Sequence, residues 1–325
     1  MQTVTGSDIK TAKDFLEKGQ LVAVPTETVY GLAANALDTE AVIKIFEAKN
    51  RPTFNPLIVH CADWGEVTKY VADIPAKAHL LAQKFVPGPL TFLLPKKETI
   101  PDLVTAGSDK VAIRIPNHPL TLDLLRSINF PLAAPSANQF GYISPTTAAH
   151  VKESLDGKIP YILDGGPAQV GLESTIIGFD EKENVLLYRS GGIGIEEIEN
   201  IIGEKVLTAP VSPQKKPETS GQLKSHYAPN TPLHIGNIDE LKNGFTGKKI
   251  ATISFNQTFE NIDPSYQFIL SSKNDLHEAA SNLFAALRKI DQLDADVILA
   301  EIFPNEGIGR AINDRLSRAQ AVNKD

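Results

Sequence analysis

At 325 residues the chain is longer than the roughly 250–300 that one hydrophobic core usually supports, so two domains are expected. With 42% hydrophobic residues a sizeable core is available, while a net charge of −7 argues against a protein whose main work is gripping nucleic acid, since such proteins are basic. One cysteine, Cys61, excludes a disulfide framework and a multi-thiolate metal site.

No apolar run approaches the ~18 residues of a membrane span, and the N-terminus, MQTVTGSDIK, is polar. The expectation is a cytoplasmic protein with no membrane partner.

Residues 7–19 read as a first helix, capped by Ser7, striped by Ile9, Ala12, Phe15 and Leu16, and ended by Gly19. A strand over residues 21–24 stops at Pro25 and opens into Thr26, Thr28, Tyr30 and Gly31. A helix begins near Asp38 or Thr39, both N-cap types, and ends before a cationic loop carrying Lys49 and Arg51 and closed by Pro52. Residues 57–59 form the next buried strand, with His60 at its end. An amphipathic helix over 76–86 is stopped by PGPL, and strands follow at 90–94 and 111–115, the second with Lys110 and Arg114 close to it.

Residues 118–128 are helical, and a short strand at 132–134 opens into PSAN, Pro135 to Asn138. Ser144-Pro145 reads as a helix start with a cap residue and proline in the first turn. A strand at 161–163 ends in DGG, two strands in GLESTIIGF and VLLYR flank a turn, and a helix opens after Gly194. Residues 208–232 are proline-rich and poor in large apolar side chains, which is the texture of an extended linker. Beyond it, strands at 233–235, 250–254, 267–270 and 296–300 alternate with helices at 276–290 and near 310–319. The organisation expected is a first domain over 1–207, a linker over 208–232 and a small Rossmann-like α/β domain over 233–325.

The chain has no phosphate-binding P-loop, no G-x-S-x-G and no H-E-x-x-H. Its chemistry-bearing residues sit instead at strand ends, where open α/β sheets place ligands. Lys49, Arg51, Lys110, Arg114 and Arg189 all adjoin strand ends in a chain with a surplus of acids. Such a cluster suits a polyphosphate together with a carboxylate, with arginine giving planar bidentate contacts. Thr26, Thr28, Ser136, Ser144, Ser174 and Thr175 supply hydroxyls. Ser144 can cap a helix and present its N-terminus to an anion at the same time. His60 reads as a hydrogen-bonded structural histidine or as a ligand, and SGGIG at 190–194 as a plain turn or a phosphate nest. No Ser/His/Asp nucleophile follows from spacing. Carboxylates are scattered, so a divalent ion carried in by a nucleotide is expected rather than an all-protein cage.

The motifs PTETVYGL, KNRPTFNPLIVH, VAIRIP, APSAN, SPTTAAHV, DGGPAQVGLESTII and YRSGGI occur in this order over residues 7–203, and HYAP follows in the linker. In this the chain resembles the YrdC-like L-threonylcarbamoyladenylate synthase family in its two-domain form. The linker departs from the family in reading SGQLKSHYAP, although His226 and Tyr227 are kept. The resemblance implies a twisted mixed sheet with a large cavity, plus the small Rossmann-like domain. It implies an enzyme that joins L-threonine, bicarbonate and ATP, with Mg²⁺ on the phosphates, into threonylcarbamoyl-adenylate and pyrophosphate. A downstream tRNA transferase system would then move the group to an adenosine beside the anticodon.

Carried over to this sequence, threonine would contact Thr28, His60, Arg114, Ala134 and Ser174. ATP would contact Arg51, Asn55, Lys110, Ser136, Ser144, Arg189 and Tyr227. Charge neutralisation and alignment, with no covalent catalytic residue, suit a reaction whose participants are all anionic. The competing reading is an RNA-binding module of the same fold, which the acid surplus disfavours along with direct tRNA binding. The linker, with its His226-Tyr227 pair, is expected to act as a lid that keeps water from a carbamate and a mixed anhydride.

Overall fold

The computed structural model describes residues 2–210, 218–221 and 227–320. His226 therefore lies outside the described residues. The chain begins β1 (Val4–Gly6), α1 (Ile9–Glu17), β2 (Val22–Val24), β3 (Gly31–Asn35), α2 (Thr39–Lys49), β4 (Ile58–His60), α3 (Ala76–Phe85) and β5 (Leu90–Pro95). It continues α4 (Asp102–Thr105), β6 (Lys110–Arg114), α5 (Pro119–Ser127), β7 (Leu132–Ala133), α6 (Ala148–Leu155) and β8 (Tyr161–Leu163). The first unit closes with β9 (Thr175–Phe179), β10 (Val185–Arg189), α7 (Ile195–Ile202) and β11 (Leu207–Thr208). The second unit holds β12 (Leu233–Ile235), α8 (Ile238–Leu241), β13 (Ile250–Ser254), β14 (Gln267–Ile269), α9 (Leu276–Asp291), β15 (Val297–Ala300) and α10 (Gly309–Gln320).

The first eleven strands form one sheet in the order β1-β8-β2-β3-β7-β4-β6-β5-β9-β10-β11. It is mixed: β4 runs parallel to β6, while β7 is antiparallel to both β3 and β4. The register decides where chemistry falls. His60 lies opposite Arg114 across the parallel β4/β6 pair, and Leu132 opposite His60 across β7/β4, so the ends of three strands meet. Side chains alternate along a strand, so Ile58 and His60 face the same side. The opposite face is covered by α2 and α3 around Leu32, Ile45, Leu81 and Phe92, all fully buried.

The second sheet, β12-β15-β13-β14, is parallel throughout. Its helix α9 buries Leu283, Phe284 and Leu287 in a core that also takes in Val29, Ile143 and Leu172 of the first unit. The contact is close: a side chain at Gly171, which has φ +74°, would meet the Ser281 Cα at 2.5 Å. Among the described residues no helix is long and apolar enough to cross a membrane.

Three local expectations differ from what is found. The first helix is capped by Asp8, whose carboxylate accepts from the Lys10 and Thr11 amides at 3.1 Å each. A carboxylate has two acceptor oxygens for two orphan donors, which the neighbouring Ser7 cannot match. The strand β3 was not expected, because GLAAN carries neither alternation nor β-branching; it is a strand through pairing with β2 and β7 and is buried along most of its length. Ser144 does not cap α6. Thr147 does, accepting from the His150 amide at 3.2 Å, and Pro145 instead offers its carbonyl to the Tyr30 amide.

Candidate active site

The turn after β2 is tied by one hydroxyl. Thr26 Oγ1 accepts from the amides of Thr28 and Val29 at 3.2 Å each and donates to the Val29 carbonyl at 2.6 Å. That loop places the Thr28 hydroxyl 2.8 Å from Arg114 Nη1. Arg114, at the end of β6, also donates from Nε to the Gly88 carbonyl and pairs through Nη2 with Glu27 at 2.7 Å. Glu27 in turn accepts from the Asn117 amide at 2.9 Å, so the guanidinium is braced from behind. His60 sits beside it. Burial, and then the neighbouring Arg114 charge, lowers its pKa to about 3, so the imidazole is neutral at ordinary pH. Its buried Nδ1 has no protein partner.

Arg51 and Arg189 line the same cavity. Arg51 follows α2 and donates to the Asn55 and Pro56 carbonyls; burial depresses its pKa to about 9, with Tyr227 raising it and Arg189 lowering it. Arg189, ending β10, donates to the Ser174 carbonyl and hydroxyl and to Ser220 of the linker. Its pKa is also lowered, chiefly by burial. Arg114 is balanced by Glu27, so it is the burial of Arg51 and Arg189 that leaves positive charge an anionic ligand would relieve. Lys49 lies behind them in the last turn of α2 rather than in a loop. It is fully buried and donates to the carbonyls of Ser136 and Asn138, which pins the PSAN loop against the cavity.

One cavity gathers nine of the twelve expected ligand residues: Thr28, His60, Arg114, Ala134, Ser174, Arg51, Ser136, Arg189 and Tyr227 all line it. Three do not. Ser144 is fully buried one layer back, its hydroxyl donating to Glu173 Oε1 at 2.5 Å. Lys110 begins the strand that Arg114 ends, which separates them by about 13 Å at the rise of a β-strand. Its ammonium reaches 3.7 Å from Glu218 of the linker instead. Asn55 is fully buried beside Arg51, with both amide atoms unpartnered. Among the remaining hydroxyls, Thr26 lines the cavity, whereas Thr175 is occupied by the Ile193 backbone. The SGGIG turn is a packing feature, since a side chain at Gly191 would meet the Glu173 carbonyl at 2.3 Å.

Three described linker residues reach this cavity. Ser220, Gly221 and Tyr227 form part of its wall, and Tyr227 is 1% exposed with φ +67°. The cavity volume with these residues in place is about 40 Å³. Reading the sequence missed Glu27, Glu173 and Arg315. Both glutamates stand inside motifs already singled out, PTETVYGL and GLESTII, but an anion-binding chemistry directs attention to cations. Arg315 lies in the second unit, in a segment with no local signal. Glu173 is the carboxylate of the cavity wall. Burial opposes its ionisation, yet Arg315, Arg189 and the Ser144 hydroxyl together hold its pKa below the usual carboxylate range.

Two family models match the chain end to end. The one described as telomere recombination (Sua5, YciO, YrdC) matches residues 14–191, and the one described as threonylcarbamoyl-AMP synthase, C-terminal domain, matches 193–321. A threonylcarbamoyl-AMP synthase of Pyrococcus abyssi is 44% identical, covering 96% of this chain and 93% of the relative. One of Bacillus subtilis is 42% identical, covering 96% and 92%. The crystal structure of the P. abyssi protein complexed with L-threonine superposes with a TM-score of 0.88 at 41% identity, covering 98% of this chain and 97% of that one.

Proposed function

The chain belongs to the Sua5/YciO/YrdC family with the C-terminal domain of threonylcarbamoyl-AMP synthases, and from this we propose that it makes threonylcarbamoyl-adenylate and pyrophosphate from L-threonine, bicarbonate and ATP. The observation that carries the reading is that one cavity gathers hydroxyls, a neutral imidazole and three buried guanidiniums. We assign Thr28, His60, Arg114 and Ser174 to a hydroxy-amino acid, and Arg51, Arg189 and Tyr227 to a triphosphate.

In this reading the threonine amine adds to the bicarbonate carbon and water leaves, giving a carbamate. A carbamate oxygen then attacks the ATP α-phosphorus, and the bond to the β-phosphate oxygen breaks as pyrophosphate departs. The protein supplies alignment and positive charge rather than a nucleophile. Arg114 would hold the threonine carboxylate, with Thr28 and Ser174 reading its polar groups. Neutral His60 adds a hydrogen-bonding group without adding charge. Arg51 and Arg189 would take the phosphates. Mg²⁺ enters as part of the nucleotide substrate; among the described residues no group of three or more His, Cys, Asp or Glu is arranged to hold a metal. The mixed anhydride product requires a consumer, and a tRNA-directed threonylcarbamoyl transferase system fills that role.

The linker is the lid of this site. A nucleotide pocket needs about 300 Å³ or more, against about 40 Å³ with Tyr227 and Gly221 in place. In this reading the linker lifts to admit ATP, and its return excludes water. An RNA-binding role gains nothing from this cavity, because Arg51, Arg114 and Arg189 are buried where a duplex backbone cannot reach. The test is pyrophosphate release from MgATP with threonine and bicarbonate omitted in turn. Release that needs both supports the reading, and release indifferent to either one overturns it.

A further inference from the structure

We propose that Arg315, carried by α10 of the second unit, is a positioning residue for the nucleotide end of the cavity. It neutralises Glu173 and holds the Tyr227 ring over the site. Arg315 has no exposed side-chain surface. Its Nε pairs with Glu173 Oε2 at 2.7 Å, its Nη1 with Asp314 at 2.6 Å, and its Nη2 donates to the Ser190 carbonyl at 2.9 Å. Its guanidinium lies 5.0 Å from the centroid of the Tyr227 ring, which also stacks on Phe284 at 5.7 Å. One side chain of the second unit thus touches a carboxylate, a linker aromatic and the loop following Arg189.

Glu173 gives this arrangement its purpose. A carboxylate in the wall of a pocket for polyphosphate repels the ligand unless its charge is balanced. Arg315 supplies that balance from behind, while Ser144 donates to the other carboxylate oxygen. The α10 helix is itself fixed, since Arg310 at its start pairs with Glu196 at 2.5 Å. The geometry gives a reason for packing against the cavity an α/β unit that, among the described residues, has none of its own in the cavity wall.

The inference rests on assigning ATP to the Arg51–Arg189 end. Threonine- and bicarbonate-dependent pyrophosphate release by the unaltered full chain tests that assignment first, and its absence would sink the assignment rather than Arg315. With it present, Arg315→Ala should raise the ATP KM at least tenfold and leave the threonine Kd, measured calorimetrically without nucleotide, within about threefold. Arg315→Ala with Glu173→Gln, which removes both charges, should recover part of the ATP KM. Arg315→Lys, which keeps the charge and loses the fork, should fall between. Should Arg315→Ala not fold, the paired neutral variant and Arg315→Lys carry the same comparison. An ATP KM unchanged in Arg315→Ala, equal losses for ATP and threonine, or a double variant no better than the single one would each overturn the proposal.

Discussion

A guanidinium has five N–H groups, and Arg114 commits one from Nε, one from Nη1 and one from Nη2 to protein acceptors. One N–H remains on each terminal nitrogen, which matches the two oxygens of a carboxylate. Arg114→Lys keeps a charge but not the fork, so the threonine KM is expected to rise by about 10² or more. Arg114→Ala should lose threonine-dependent pyrophosphate release outright. It should also destabilise the fold by about 3–5 kcal/mol, because Glu27 would be left buried and unpaired. An unchanged threonine KM in the lysine variant would remove Arg114 from the clamp. Specificity follows from Thr28 and Ser174: a pocket that hydrogen-bonds a hydroxyl rejects the analogue lacking it. 2-Aminobutyrate is expected to be a poor substrate and serine an intermediate one, and comparable kcat/KM for 2-aminobutyrate and threonine would count against a hydroxyl-reading pocket.

His60 makes a prediction of a different kind. Its pKa is about 3 in the fold, against about 6.5 in an unfolded chain. Between these values the unfolded chain binds a proton that the folded one refuses, so stability is full above pH 6.5 and falls as the pH drops toward 3, by about 1.4 kcal/mol per unit at most. His150, lowered to about 4 chiefly by burial, adds to the same window. His60→Gln removes one contribution. Between pH 7 and pH 5 the unaltered chain should therefore lose about 2 kcal/mol more than the variant in urea unfolding. Equal losses would mean that His60 is not held neutral.

At the scale of elements, α2 and the PSAN loop behave as one piece. The helix starts at Asp38, which accepts from the Glu40 and Ala41 amides, and ends at Asn50 in the left-handed region. Its last residue, Lys49, carries its ammonium to two loop carbonyls. Lys49→Met would leave both carbonyls buried and unmatched, at about 1–3 kcal/mol each. The expected result is a lower melting temperature together with a raised ATP KM, since Ser136 is held by the same contact. A melting curve that does not move would show the carbonyls finding other donors. Here the limits of reading a sequence are physical. The N-cap of α2 is local chemistry, and it was legible, whereas its end was placed before Lys49 and the Asn50 C-cap was missed. Arg51, Arg114 and His60 were legible as cavity residues because each ends or follows an element at the same edge of the sheet. The burial of Lys49 and the turning of Ser144 toward Glu173 depend on partners 87 and 29 residues away, and nothing local records them. The strand β3 is the same case, made by its neighbours from a run of small residues.

For the whole molecule, the question is what the second unit adds to a first unit that already has its own core. The large apolar cluster around Leu32, Ile45 and Phe92 lies entirely within the first unit. Among the described residues the second unit reaches the site through Arg315, through Phe284 against the Tyr227 ring, and through the apolar core it shares with Val29. If its role is to hold the lid, disturbing Tyr227 should damage the fidelity of the reaction more than the stability of the fold. Tyr227→Phe keeps the ring between Arg315 and Phe284 and should bind ATP nearly as the unaltered chain does if closure depends on the ring. Tyr227→Ala removes both faces of that contact. It should lower the rate of synthesis at least tenfold and open the cavity to water. The signature is stoichiometric: a carbamate and a mixed anhydride exposed to water decompose, so AMP should accumulate without a matching amount of threonylcarbamoyl-adenylate. Quantifying nucleotide products by chromatography during steady-state turnover separates the cases. A Tyr227→Ala variant that is slow but still converts each ATP into one threonylcarbamoyl-adenylate would make the linker a tether that positions the nucleotide, and would leave the exclusion of water to the walls of the cavity itself.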